Sequence, residues 1–188
     1  PIHKKLAPKF DIFFLLNPTM FFAVWVMVVV GIISAEFNMH ASHLWNTAFS
    51  WNIFFVFIGL TLLISAAFIN NNLTDERDNR DNLGLLLIGE HISIQKSESI
   101  ARALLISGCL ISVIANWKTA IPAIWVYFLL GIGYNYTTYK WMKFPITGWL
   151  VNSFIGVLFF IIGWILGIEN YSRIGIIALS INAFSYML

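Results

Sequence analysis

The chain has 188 residues, of which 59% are hydrophobic, 16% aromatic and only 11% charged; its mean hydropathy is +0.80 and its net charge +2. Soluble domains carry about 25% charged residues, so this composition excludes a water-soluble domain, a disordered chain and a secreted disulfide scaffold. The small net charge gives no ground for a nucleic-acid partner, and the single Cys109 has no partner within its own chain.

A helix crossing the hydrocarbon core of a bilayer needs about 20 mostly apolar residues. In chain order, about six such stretches stand out: Ile12–Ser34, Phe49–Ile69, Ser99–Ala115, Ala120–Tyr136, Gly148–Leu166 and Ile174–Leu188. They are apolar all round and too long for the alternating strands of a β-barrel, which span about 10 residues. The expected architecture is all-α, a polytopic membrane helix bundle of about six transmembrane helices forming a single domain over 1–188. The first run is too long for a signal-peptide core and lacks a small-residue cleavage site, so it is expected to be retained.

Polar segments fall at 38–46, 70–98, 116–119, 136–147 and 169–173. Of the 11 Lys and Arg residues, only Lys118 and Arg173 lie on one set of alternating segments. The others (Lys4, Lys5, Lys9, Arg77, Arg80, Lys96, Arg102, Lys140 and Lys143) lie on the opposite set. Basic residues favour the cytoplasmic side. The expected topology therefore has the N-terminus and the segments near 70–98 and 136–147 cytoplasmic, in a membrane of the bacterial cytoplasmic type.

The second run leads directly into Asn70-Asn71-Asn72-Leu73-Thr74-Asp75-Glu76-Arg77-Asp78-Asn79-Arg80-Asp81-Asn82. At about 100° per residue on a helix, Asn71, Asp75, Asp78 and Asn82 fall within roughly 60° of one another. Carboxylates that close repel unless a cation holds them, and oxygen-only ligands suit Mg²⁺, which is often shared with substrate phosphates. The pattern makes Asn71, Asp75 and Asp78 candidate metal ligands. A diphosphate would be the natural substrate group, since a metal stabilises its departure. The alternative is a solvated loop whose acids are offset by Arg77 and Arg80.

The fourth run ends in Tyr134-Asn135-Tyr136-Thr137-Thr138-Tyr139-Lys140-Trp141-Met142-Lys143. Such residues often form an interfacial belt. In the functional reading Lys140 and Lys143 donate to phosphate oxygens, with Tyr134 and Tyr136 assisting. Asn152 lies inside the fifth run, where an amide is expected to face a partner or a cavity; Asn182 poses the same question in the sixth. His40 and His43 lie on the face opposite the acidic segment, and Trp25, Trp51, Trp125 and Trp164 read as packing or belt residues.

The order of these features resembles the UbiA-type intramembrane prenyltransferases. That family has an NxxxDxxxD motif after its second span, a Tyr/Lys-containing loop after the fourth, and a second Asp-rich motif after the sixth. Asn71-Asn72-Leu73-Thr74-Asp75 matches the first half of the first motif. Gly89-Glu90-His91-Ile92-Ser93 is similar to the turn before the family's third helix, and Gly148-Trp149-Leu150-Val151-Asn152 to the opening of its fifth. There are departures. Asn79 stands where the second aspartate would fall, with Asp78 one residue earlier. Gly84-Leu85-Leu86-Leu87 replaces the usual basic–proline pairs, and Thr137-Thr138 replaces two prolines. The sequence given ends at Leu188, before the place of the second Asp-rich motif, so the expectation is either a longer protein or a shortened relative.

The resemblance implies transfer of an isoprenoid chain from its diphosphate to a membrane-embedded acceptor: a quinone head group, a porphyrin or chlorophyllide, or a lipid. Asp75, Asp78 and Lys140 would be catalytic. Asn71, Tyr134, Tyr136, Lys143 and Asn152 would bind substrate, and Mg²⁺ would enter with the diphosphate. The partners implied are the donor, the acceptor and membrane lipids. The altered motif leaves open a second reading, a non-catalytic structural subunit of a membrane complex derived from this family. A transporter fits less well, because the apolar runs carry almost no charge away from their ends.

Overall fold

The computed structural model describes residues 13–39, 51–78, 92–133 and 145–167, with backbone alone for 36–39 and 75–78. The first apolar run does not form one uninterrupted helix. A single turn at 13–15 is broken at Asn17, whose φ of 51° is left-handed, a region asparagine tolerates better than most residues. Pro18 follows, with no N–H to lose and a φ preset for a helix start. Thr19 Oγ1 donates to Asn17 Oδ1 at 2.8 Å. Helix α1 then runs Thr19–Met39.

Helix α2 spans Trp51–Asp78, α3 Ile94–Ala115 and α4 Trp117–Tyr127, which continues as a π-helix over Phe128–Gly133; α5 spans Pro145–Gly167. The helices reach further into the polar segments than the apolar runs do. α2 continues for two turns past Ile69, and α3 begins before Ser99, at Ile94, capped by Ser93, whose side chain accepts from the Lys96 N–H at 3.3 Å. Backbone hydrogen bonding carries a helix onward wherever a cap or a polar side chain satisfies its end. Between α3 and α4 the chain turns at Asn116, which closes α3 through its N–H and caps α4 through its side chain. One residue thus ends one helix and starts the next.

Close contacts fix the relative direction of two helix pairs and set the remaining helices against them. Gly163 meets Val28 and Gly31, while Gly167 meets Ile32 and Ala35, so α1 and α5 run parallel. Gly59 meets Ser112 and Leu63 meets Gly108, so α2 and α3 are antiparallel. Asn70 bonds Tyr127 while Ala67 packs on Gly131, which sets α4 and its π continuation against α2. α1 opposes α2 through Trp25, whose indole N–H donates to Thr61 Oγ1 at 3.1 Å.

Three of these helices are long and apolar enough to cross a membrane: Trp51–Thr74 in α2, Ile94–Ala115 and Pro145–Gly167. Thr19–Ala35 and Trp117–Gly133 are apolar but shorter. Burial separates centre from rim. Half or more of the spanning part of α2 and α5 is buried, against 17% for α3. The largest buried cluster joins Val28 and Ile32 of α1 to Leu60, Leu63 and Ile64 of α2, Val126 and Tyr127 of α4, and Phe159 and Ile162 of α5. α3 instead exposes Ile106, Leu110, Val113 and Ile114, a surface suited to lipid. Trp164 is buried against Phe160, with ring centroids 5.7 Å apart, while Trp51 and Trp125 are exposed. The expected sixth span lies outside the described residues.

Candidate functional site

Four elements come together around one space: the start of α1, the second half of α2, the π turn and the middle of α5. Between them lies a cavity of about 380 Å³, within the usual size range of small-molecule sites. Met20, Ala23 and Val24 of α1 form one wall, and Ile64, Ala67, Phe68 and Asn71 of α2 another. Leu130 of the π turn and Asn152, Ile155 and Phe159 of α5 complete it. The spacings are i, i+3, i+4 and i+7 within α2 and i, i+3 and i+7 within α5, so each helix presents a single face. π turns recur at functional sites because they rotate the residues that follow relative to an α-helix.

Asn71 and Asn152 are thus brought to one cavity from helices 81 positions apart in sequence. They are its two lining residues with polar side chains, and the remaining lining side chains are apolar. The Asn71 Oδ1 is buried with no hydrogen-bond partner. A buried carboxamide oxygen left unpaired costs about 1–3 kcal/mol, and its retention calls for a reason. Helical register carries the cavity-facing stripe of α2 beyond Asn71 to positions 75 and 78, about 6 Å and 10 Å further along the axis. Asp75 and Asp78 are helical by backbone. Asn82, the last member of the expected stripe, lies outside the described residues, as do Tyr134, Tyr136, Lys140, Lys143, His40, His43, His91 and Asn182. Among the described residues, no group of three or more His, Cys, Asp and Glu side chains gathers to hold a metal.

Two contributors were not singled out from sequence. Asn70 Nδ2 donates to Tyr127 Oη at 2.9 Å, and Thr74 Oγ1 donates to the Asn70 carbonyl at 2.9 Å. Tyr127 is buried and sits where α4 gives way to the π turn. Its bond to Asn70 fixes the rotation of α2 at the residue preceding Asn71. Nothing in the spacing of the fourth apolar run sets Tyr127 apart, and Asn70 lies off the stripe of Asn71, Asp75 and Asp78. Tyr127→Phe removes the hydroxyl alone. It is expected to lower stability by about 1 kcal/mol, measured as the thermal unfolding midpoint of the purified protein in detergent.

An all-helical bundle with three helices able to cross a bilayer, and an amide-marked apolar cavity between its helices, defines the chain as a membrane-type helical protein. Comparisons with family models, curated proteins and solved structures give no match.

Proposed function

We propose that the chain is a UbiA-type intramembrane prenyltransferase, moving an isoprenoid chain from its diphosphate to a lipophilic acceptor in a six-span bundle with a cytoplasmic N-terminus. The observation that supports this reading is the convergence of Asn71 and Asn152 on one apolar cavity. Both were selected from sequence alone, as members of separate motifs. In this reading Asn71, Asp75 and Asp78 hold Mg²⁺ with the diphosphate, at the mouth where α2 leaves the apolar layer. Oxygen donors of this kind fit that ion, and the buried, unpaired Asn71 Oδ1 is a donor atom with nothing else to satisfy it. The metal would supply charge neutralisation to the departing diphosphate. Lys140 and Lys143, with Tyr134 and Tyr136, bind phosphate oxygens, and Asn152 binds substrate from α5.

Pyrophosphate release tests this directly. The protein in lipid nanodiscs, given isoprenoid diphosphates of graded length and a panel of lipophilic acceptors, is expected to release pyrophosphate only when Mg²⁺ is present. Chelation should abolish release and added Mg²⁺ restore it. A folded preparation that releases none with any donor would favour the structural-subunit reading.

A further inference from the structure

We infer that the exposed face of α3 binds an anionic phospholipid, its phosphate held by Arg102 and Lys96 and its acyl chains laid along Ile106, Leu110, Val113 and Ile114. Binding there requires only that α3 faces lipid, and is independent of the transferase reading. α3 runs Ile94–Ala115 and turns Ser97, Ala101, Gly108 and Ser112 inward. At about 100° per residue, Lys96, Arg102 and the four aliphatic residues all fall on the opposite half of the helix, and all six are exposed.

Depth sets Arg102 apart. The hydrocarbon core of a bilayer is about 30 Å thick, and the helical rise places Lys96 about 29 Å and Arg102 about 20 Å from Ala115. Just past Ala115 the chain turns and Trp117 is exposed, as an indole at headgroup level would be. A layer ending there has Lys96 at its other edge and Arg102 about 9 Å inside, facing lipid. A charge at that depth is costly unless it is paired or reaches the surface. Arg102 turns back along the helix towards that edge, in the manner of a snorkelling side chain. Its Nε donates to the Glu98 carbonyl at 3.3 Å and its Nη2 to Glu98 Oε2 at 3.4 Å. The arginine side chain nonetheless stays 71% exposed, against 33% for Glu98. A guanidinium carries five N–H donors in a fork that matches phosphate, and Glu98 engages two of them. Lys96 and Arg102 outweigh Glu98 by one positive charge, which favours a lipid of net negative charge over a zwitterionic one. From Arg102 to Ile114 the face extends about 18 Å along the axis, close to the depth of one leaflet's acyl chains.

The sequence has a single cysteine, Cys109, so Cys109→Ser combined with Ile106→Cys gives one labelling position a turn away from Arg102. A fluorophore there, on the full chain in phosphatidylcholine nanodiscs, is quenched by brominated phosphatidylglycerol or by brominated phosphatidylcholine of equal chain length. Phosphatidylglycerol is expected to reach half-maximal quenching at about fivefold lower mole fraction, the scale of one basic residue at a membrane surface. Arg102→Gln should bring the two lipids level. Lys96→Gln should narrow the gap and serves as the second variant should Arg102→Gln misfold, whereas Lys118→Gln, beyond the other end of α3, should leave it unchanged. The same label on α5, through Phe154→Cys, should be quenched equally by both lipids. Equal quenching at position 106, a preference unmoved by Arg102→Gln and Lys96→Gln, or one as large at position 154 overturns the assignment. So does a label that neither lipid quenches, the result if a second copy of the chain covers this face. A preference abolished by inorganic phosphate, but not by sodium chloride of equal ionic strength, would make a free anion the occupant and overturn it too.

Discussion

Gly163→Leu is expected to separate α1 from α5 and to lower stability by about 3 kcal/mol or more. A Cβ at Gly163 would collide with the carbonyl of Val28, and one at Gly31 with the carbonyl of Phe160. Both obstacles are backbone atoms on a facing helix, so no rotamer change relieves them. Within a membrane the apolar side chains gain nothing by leaving lipid, and association depends on backbones approaching closely. α1 and α5 together form two walls of the cavity, so the damage extends to the site. Thermal unfolding of the detergent-solubilised variant should show a midpoint lowered by roughly 10 °C, or no folded fraction at all. Phe154→Leu on the exposed side of the same helix should shift it little. Equal midpoints for Gly163→Leu and the unmodified protein would mean that α1 and α5 do not meet at these glycines.

Asp75→Ala is expected to reduce Mg²⁺-dependent turnover by about 10³-fold or more, the scale set by losing several kcal/mol of metal-mediated charge stabilisation. The expectation derives from helical register. α2 is helical through Asp78, so position 75 lies one turn beyond Asn71 on the stripe that lines the cavity. Membrane insertion and the thermal midpoint should be unchanged. Glu76 lies about 100° further round the helix than Asp75, and Glu76→Gln should keep turnover within about twofold, as a solvated charge would. The two variants are compared by pyrophosphate release at graded Mg²⁺. Turnover in Asp75→Ala equal to that of Glu76→Gln would dispose of the metal role for this stripe.

The helices themselves were legible in the sequence because their signal is local. Twenty apolar residues in a row leave the backbone no alternative to internal hydrogen bonding in lipid. α2, α3 and α5 therefore lie where the second, third and fifth apolar runs lie. Their ends were less legible. Hydropathy does not register that Ser93 caps α3 six residues before Ser99, nor that α2 continues through its asparagines to Asp78. The break at Asn17 was visible as an Asn-Pro pair, yet its effect on the length of α1 depended on the backbone choosing a left-handed turn there.

The sequence by itself determined the solvent and the composition of the site: a chain this apolar belongs to a bilayer, and an amide just past an apolar run at Asn71 and another inside one at Asn152 need something to face. Tertiary structure decided what they face. It brought those amides to one cavity, chose Leu130 of a π turn and Phe159 as its walls, and tied α2 to α4 through Asn70 and Tyr127. The physical reason is that hydrophobicity in a membrane is nearly uniform around each helix and carries no information about which faces meet. That choice falls to the shape of small residues such as Gly31 and Gly163 and to a few hydrogen bonds, whose partners lie far apart in the chain.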